Sequence, residues 1–137
     1  MKRLYGKVGF TEKPEVKAIL GPYESGRPHS GLVCFDALPA QEAQKLLALL
    51  PKKHAGNRQN DAPSFGELVI WGTELGKVWL HGYRVLPCRA DERITAEGFY
   101  APKATAEQLP ARCSLEPNEY GGENHPTLGT VMRAWWD

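Results

Sequence analysis

The chain has 137 residues, of which 42% are hydrophobic and 24% are charged. This length fits one compact domain spanning residues 1–137, and this composition excludes a disordered or fibrous protein. Lys and Arg number 17 against 16 Asp and Glu, a net charge of +1. The overall charge therefore gives no reason to expect nonspecific binding to nucleic acid.

Targeting and cysteine patterns point to a reducing compartment. No stretch approaches the roughly 18 consecutive apolar residues that a transmembrane helix needs, and no apolar region follows the basic start. The three cysteines, Cys34, Cys88 and Cys113, contain no Cys-x-x-Cys pair and so predict neither a disulfide framework nor a zinc site. We expect a cytoplasmic protein without membrane contact, metal or cofactor, in which Cys34 packs as a small buried hydrophobe.

The N-terminal part predicts strands around one loop. Apolar residues and glycine alternate over 4–10, which indicates a half-buried strand, and the apolar run 16–20 predicts a second one. Residues 21–31 are rich in Gly, Pro and Ser, which is typical of an exposed loop. The continuous apolar run 32–35 predicts a third, buried strand.

Two segments carry helical signals. Over 39–50, a proline in the first turn precedes Ala43, Leu46, Leu47 and Leu50, which follow the i, i+3, i+4, i+7 spacing. Over 64–75, Ser64 and Glu67 form a capping-box pattern before an apolar stripe that Gly76 closes. The basic stretch 52–58 between them, which contains His54, is interpreted as a solvated helix end.

The C-terminal half predicts a hairpin and a last strand. Residues 77–86 and 92–101 are expected to pair across the turn 87–91, and Thr105 is expected to cap a short helical turn. Residues 112–126 are interpreted as irregular, and 131–136 as an edge strand. This order predicts a two-layer α+β domain with a mostly antiparallel sheet and two main helices. A small, partly closed β-barrel with helices is the alternative.

The hairpin supplies the functional hypothesis. If the turn is centred on Arg89, each residue of the first hairpin strand lies opposite one residue of the second. This register places aromatic and polar side chains together on one face of the hairpin. Those cross-strand pairs are Trp79 with Phe99, His81 with Glu97, Tyr83 with Thr95, and Val85 with Arg93. Three interpretations of this face stay open: a second small core, a binding platform, or a catalytic site.

The binding interpretation comes first. Aromatic side chains on a sheet near an Arg are how several modules hold unstacked bases, so Trp79, Tyr83, Phe99 and Arg93 predict a regulatory or binding module for RNA or a small molecule. The alternative is a metal-independent hydrolase or ribonuclease, with His81 and Glu97 as acid and base, Tyr83 as donor and Arg93 stabilising an anion. Two tryptophans near the C-terminal end of the sequence predict a homodimer contact.

Overall fold

A computed structural model describes residues 3–57, 63–108 and 117–136 of the chain. Six strands form within these residues: β1 Glu24–His29, β2 Leu32–Pro39, β3 Trp79–Val85, β4 Arg93–Ala101, β5 Glu119–His125 and β6 Gly129–Trp135. The α-helices of the same residues are α1 Pro14–Leu20, α2 Ala40–Leu49, α3 Phe65–Leu75 and α4 Lys103–Ala106. Short 3₁₀ turns cover Phe10–Glu12, Gly21–Tyr23 and Lys52–Gly56.

The strands form one open antiparallel sheet in the order β1-β2-β3-β4-β6-β5. This confirms the predicted α+β class, and the sheet does not close into the alternative barrel. The prediction that the last strand lies at an edge is wrong, because β5 pairs with β6 over its full length, from Glu119 opposite Trp135 to His125 opposite Gly129. Glycine and charged residues in β5 hide this strand from any hydrophobic pattern.

All four helices pack against one side of the sheet and share one core. The buried cluster draws residues from every helix and from the four inner strands, among them Leu20, Leu46, Leu68, Leu80, Phe99, Ala106 and Trp136. On β3 and β4, residues that alternate with these core positions face the other side, as strand geometry requires. The helices therefore cover one face of the sheet, and within the described residues no helix covers the other. Among the described helices, none is long and apolar enough to cross a membrane.

The two predicted main helices are confirmed. Helix α2 buries Ala43 and Leu46, and helix α3 begins with Ser64 Oγ accepting a hydrogen bond from Glu67 N at 3.2 Å, which is the predicted cap. The prediction for Thr105 is wrong, because the residue preceding α4 is Pro102 and Thr105 lies inside the helix.

Both strands predicted before residue 21 are wrong. Residues 4–9 contain no strand, since Gly6 and Gly9 have φ of 118° and 97° and interrupt any extended run. Residues 16–20 belong to helix α1, where Pro14 occupies the first turn and Val16 and Leu20 bury one face at i, i+4 spacing. In a run of only five residues, that spacing resembles a short apolar strand.

Two predicted loops contain strands. Within 21–31, Glu24–His29 form β1, which returns through Ser30 and Gly31, both at positive φ, to pair with β2. Within 112–126, Glu119–His125 form β5, while the remainder up to residue 116, with Cys113, lies outside the described residues. Both strands are short of apolar side chains because each is an edge strand with solvent on much of its surface.

The burial predicted for Cys34 and the exposure predicted for His54 are both wrong. Cys34 is exposed, because its side chain alternates with the buried Val33 and Phe35. His54 is fully buried, its ring centroid lies 5.5 Å from that of Phe65, and its Nε2 accepts a hydrogen bond from Ile94 N at 2.8 Å. Burial lowers the pKa of His54 to about 4.

Candidate functional site

Polar and aromatic side chains line a shallow cavity of about 240 Å³ on the uncovered face of the sheet. We call this surface the open face; its residues are Cys34, Phe35, Asp36, His81, Gly82, Tyr83, Glu97, Tyr100, Arg133 and Trp135. They come from strands β2, β3, β4 and β6, so the β3–β4 hairpin and two strands that are distant from it in sequence build one surface.

His81 lies between two irregularities of the sheet. On the β4 side, Gly82 pairs with Ala96 and His81 with Gly98, so Glu97 is an extra residue in β4. On the β2 side, the pairing jumps from Phe35–Gly82 to Leu38–Leu80, which leaves two residues opposite His81. β-Bulges of this kind redirect side chains and are frequent beside functional sites.

The β4 bulge overturns the predicted pairing for half of the hairpin. The predicted pairs Tyr83–Thr95 and Val85–Arg93 are present. Beyond the bulge the register moves by one residue, so Gly98, and not Glu97, lies opposite His81. Tyr100 thereby joins the open face in place of Phe99, which instead joins the core, 6.1 Å from the Trp136 ring.

Asp36 forms hydrogen bonds with the side chains of both Tyr100 and His125. Its Oδ1 accepts a hydrogen bond from Tyr100 Oη at 2.8 Å, and its Oδ2 lies 2.6 Å from His125 Nε2. His125 Nδ1 accepts from the backbone N–H groups of Thr127 and Leu128, so the ring hydrogen lies on Nε2 and is donated to Asp36. Burial and the adjacent Asp36 carboxylate raise the pKa of Tyr100.

The neighbouring backbone helps to place Asp36. Ala37 has φ of 55°, in the left-handed region that a residue with a Cβ rarely adopts. Such a residue in a strand marks stored backbone strain, which persists only where the surrounding structure holds it. Here the strained residue forms part of the β2 bulge that sets the carboxylate against Tyr100.

His81 forms the floor of the cavity. His81 is 8% exposed, its ring centroid lies 5.0 Å from that of Tyr100, and its Nε2 is buried from solvent. Burial, with a further contribution from the Arg133 cation, lowers the pKa of His81 to about 4. The imidazole is therefore neutral near pH 7.

The cavity lining also carries a second carboxylate, Glu97, and a cation, Arg133, which lies opposite Tyr100 in the pairing of β4 with β6. Tyr83 is hydrogen bonded to Glu97, and burial followed by the charge of Glu97 raises the pKa of that phenol. The guanidinium of Arg133 lies 4.9 Å from the ring centroid of Trp135 and 3.3 Å from Glu119 Oε2. A cation this close to the face of an indole ring is attracted by its π electrons.

Of the predicted site residues, His81, Tyr83 and Glu97 come together in the cavity, whereas three others lie elsewhere. Trp79 pairs with Tyr100 but lies outside the cavity, and Phe99 is in the core. Arg93 Nη1 donates to Asp91 O at 2.9 Å and to Asp91 Oδ2 at 2.7 Å, at the other end of the hairpin. The predicted site residue Arg93 therefore forms hydrogen bonds within the hairpin turn and does not line the cavity.

Sequence reasoning missed Asp36, Tyr100, Arg133 and Trp135 as cavity residues. Only Asp36 left a local signal, because it is the one charged residue in the otherwise apolar stretch 32–40. Nowhere in the described ranges do three His, Cys, Asp or Glu side chains approach closely enough to hold a metal ion. A scan against protein-family profiles finds no matching family, and comparisons with curated proteins and with solved structures give no match.

Proposed function

We propose that the protein is a small binding module whose open face holds a planar, hydrogen-bond-donating ligand that is neutral or positively charged. The observation that carries this proposal is the concentration of acceptors and rings around His81 where both adjacent strands bulge. Cavities that bind small molecules combine aromatic walls with a few placed polar groups, and this cavity has both.

The charges of the cavity favour a donor-rich ligand. Its lining includes two carboxylates, Asp36 and Glu97, and one cation, Arg133, which already has Glu119 as a partner. Each carboxylate oxygen of Asp36 has one hydrogen bond and keeps further acceptor capacity. A ligand that donates from a flat ring would match these groups, whereas the phosphates of an RNA backbone would be repelled.

A fragment screen followed by amide NMR tests the proposal. Benzamidine and adenine serve as planar donors, and benzoate is the planar acceptor of similar size. We expect the donors, but not benzoate, to shift the amide signals of Gly82, Gly98 and Trp135, and Glu97→Gln to weaken this binding. Arg93→Gln is the matched control because it lies outside the cavity. Equal shifts with benzoate, or equal effects of the two substitutions, would contradict the proposal.

A metal-independent hydrolase is the second candidate, and the neutral His81 in the cavity lining favours it. A neutral imidazole in a cavity can accept a proton from an attacking group. The assay is hydrolysis of p-nitrophenyl acetate and bis(p-nitrophenyl) phosphate, with and without His81→Ala. Turnover that the variant loses while its melting temperature stays unchanged would favour the enzyme. Rates equal to buffer would reject it.

We also propose a homodimer in the cytoplasm. Trp136 is in the core, whereas Trp135 is half-buried on the open face and available to a second copy. Cys34 and Cys88 are free exposed thiols, which suits a reducing compartment. Light scattering coupled to size exclusion tests the dimer: a monomer mass at high protein concentration would exclude it, and Trp135→Ala is expected to halve the mass of a dimer.

A further inference from the structure

A second cavity lies between the N-terminal segment and the end of α2. Its volume is about 470 Å³, within the range of roughly 300 to 1,000 Å³ that small-molecule sites usually have. The lining residues are Tyr5, Gly6, Lys7, Val8, Gly9, Phe10, Lys13, Leu49, Leu50 and Pro51. No residue of the open face belongs to it.

One wall of this cavity is apolar and is held in place by the core. Phe10 and Leu50 are buried members of the core cluster, and Leu49 packs against that cluster. Tyr5 is fixed by its hydroxyl, which donates to Asn57 Oδ1 at 2.9 Å. A preformed apolar wall contributes to binding by removing the nonpolar part of a ligand from water without first having to reorganise.

The other wall is the segment 6–9, which carries the positive charge of Lys7 and which we call the lip. Gly6 and Gly9, with φ of 118° and 97°, turn the chain on either side of Lys7 and Val8. Both of these residues are exposed, and 60% of Val8 is accessible to solvent. The lip therefore presents an ammonium group and an isopropyl group together at the mouth of the cavity.

No carboxylate of the described residues neutralises the two lysines that line the cavity. Within residues 3–57, 63–108 and 117–136, neither Lys7 nor Lys13 forms an ion pair, while the nearby Glu12 is engaged by Lys17 at 3.4 Å and by Arg84 at 3.2 Å. Two ammonium groups beside an apolar wall complement a ligand with one anionic end and one nonpolar body.

We propose that this cavity binds a small monocarboxylate with an apolar chain or ring, its carboxylate between Lys7 and Lys13 and its body against Leu49, Leu50 and Pro51. The ligand also covers Val8, which otherwise stays exposed to water. This site is independent of the proposed function of the open face, because the two cavities share no residue.

Calorimetric titration with decanoate, below its micellar concentration, tests the site against decan-1-ol, which has the same chain without the charge. We expect one decanoate per chain and at least tenfold weaker binding of decanol. The double substitution of Lys7→Gln with Lys13→Gln should weaken decanoate at least tenfold and leave decanol unchanged. Lys45→Gln is the matched control, since Lys45 pairs with Glu42 on an exposed part of α2 and lies outside the cavity.

Several results would overturn the proposal. Equal affinities for decanoate and decanol, or an unchanged decanoate affinity in the double variant, would remove the role of the lysines. Amide shifts on the open face, instead of at Gly6, Val8 and Gly9, would place the ligand elsewhere. Sedimentation with phosphatidylglycerol vesicles that depends on both lysines, without decanoate binding, would assign the charge to a lipid surface. The melting temperature of each variant, measured alone, verifies that it is folded.

Discussion

Glu92 accepts hydrogen bonds from both donors of Thr11, its backbone N–H and its side-chain hydroxyl. Glu92 Oε2 accepts from Thr11 N at 3.0 Å and from Thr11 Oγ1 at 2.6 Å, while Oε1 accepts from Gly9 N at 2.9 Å. The side chain of Glu92 is 2% exposed, so these bonds form away from water. One carboxylate in the β3–β4 connection thus fixes the N-terminal segment to the sheet.

We expect Glu92→Ala to lower the free energy of unfolding by about 3 kcal/mol or more, because buried donors left without an acceptor each cost about 1 to 3 kcal/mol. Glu119→Ala is the control: that side chain is 60% exposed, and such a change should cost about 0.5 kcal/mol or less. Urea denaturation measures both. A similar loss in the two variants would mean that the buried carboxylate does not anchor the segment.

Stability should fall on mild acidification because of His54. Its pKa is about 4 in the folded protein and near 6.5 when unfolded, so the unfolded chain binds the proton more tightly. The contribution of this pKa difference to the free energy of unfolding is complete above pH 6.5 and is lost progressively as the pH falls towards 4. Between pH 7 and pH 5, this residue alone should remove about 2 kcal/mol.

The test for His54 compares unfolding free energies at the two pH values in the native protein and in His54→Gln. The Gln carbonyl can still accept from Ile94 N, as His54 Nε2 does, but it does not titrate. The variant should therefore show a smaller loss on acidification. His81 adds a loss of the same sign, since its pKa is also lowered to about 4. An undiminished loss in the variant would assign the pH dependence to other groups.

Gly98 is required where β4 meets His81. A Cβ at this position would overlap the carbonyl of Ala134 and lie 2.6 Å from His81 Nε2. Gly98→Ala should cost about 1 to 3 kcal/mol as an overpacking substitution. Gly121→Ala, in β5, is expected to be tolerated, because no heavy atom of the described residues lies within 4 Å of the added Cβ. Thermal melts of the two variants settle the comparison, and equal melting temperatures would refute the close packing.

Helix α2 offers a matched pair of leucines. Leu46 is fully buried, whereas Leu47 is only partly buried against the core. Leu46→Ala should therefore cost about 2 to 5 kcal/mol through lost burial and a new cavity, and Leu47→Ala should cost less. Chemical denaturation of both proteins tests this order. The reverse order would show that α2 presents a different face to the sheet.

Elements with strong periodicity could be predicted from the sequence. Helix α2 repeats its apolar residues at helical spacing, α3 has a cap whose two residues are three apart, and the β3–β4 hairpin is local. Strands β1 and β5 could not be found, because edge strands need few apolar side chains and their identity depends on distant partners.

The candidate site was only half predictable for the same physical reason. His81, Tyr83 and Glu97 belong to one hairpin, so local pairing suffices to bring them together. Asp36 and Arg133 reach the cavity from β2 and β6, whose positions in the sheet follow from long-range packing. The exchange of Phe99 for Tyr100 results from a bulge, and one extra residue leaves no mark in an alternating pattern.

Glu97 is the extra residue in β4 at the bulge where that strand pairs with β3. Without it, Ala96 opposite Gly82 and Gly98 opposite His81 would be consecutive pairs of an ordinary ladder, with Phe99 and Tyr100 keeping their faces. Glu97 O accepts from Trp136 N at 2.9 Å, a bond that the carbonyl of Ala96 could take over after a deletion. Loss of this single codon would leave the sheet in register and erase a carboxylate from the cavity, so the gene can gain or lose this charge by a change in length as well as by substitution.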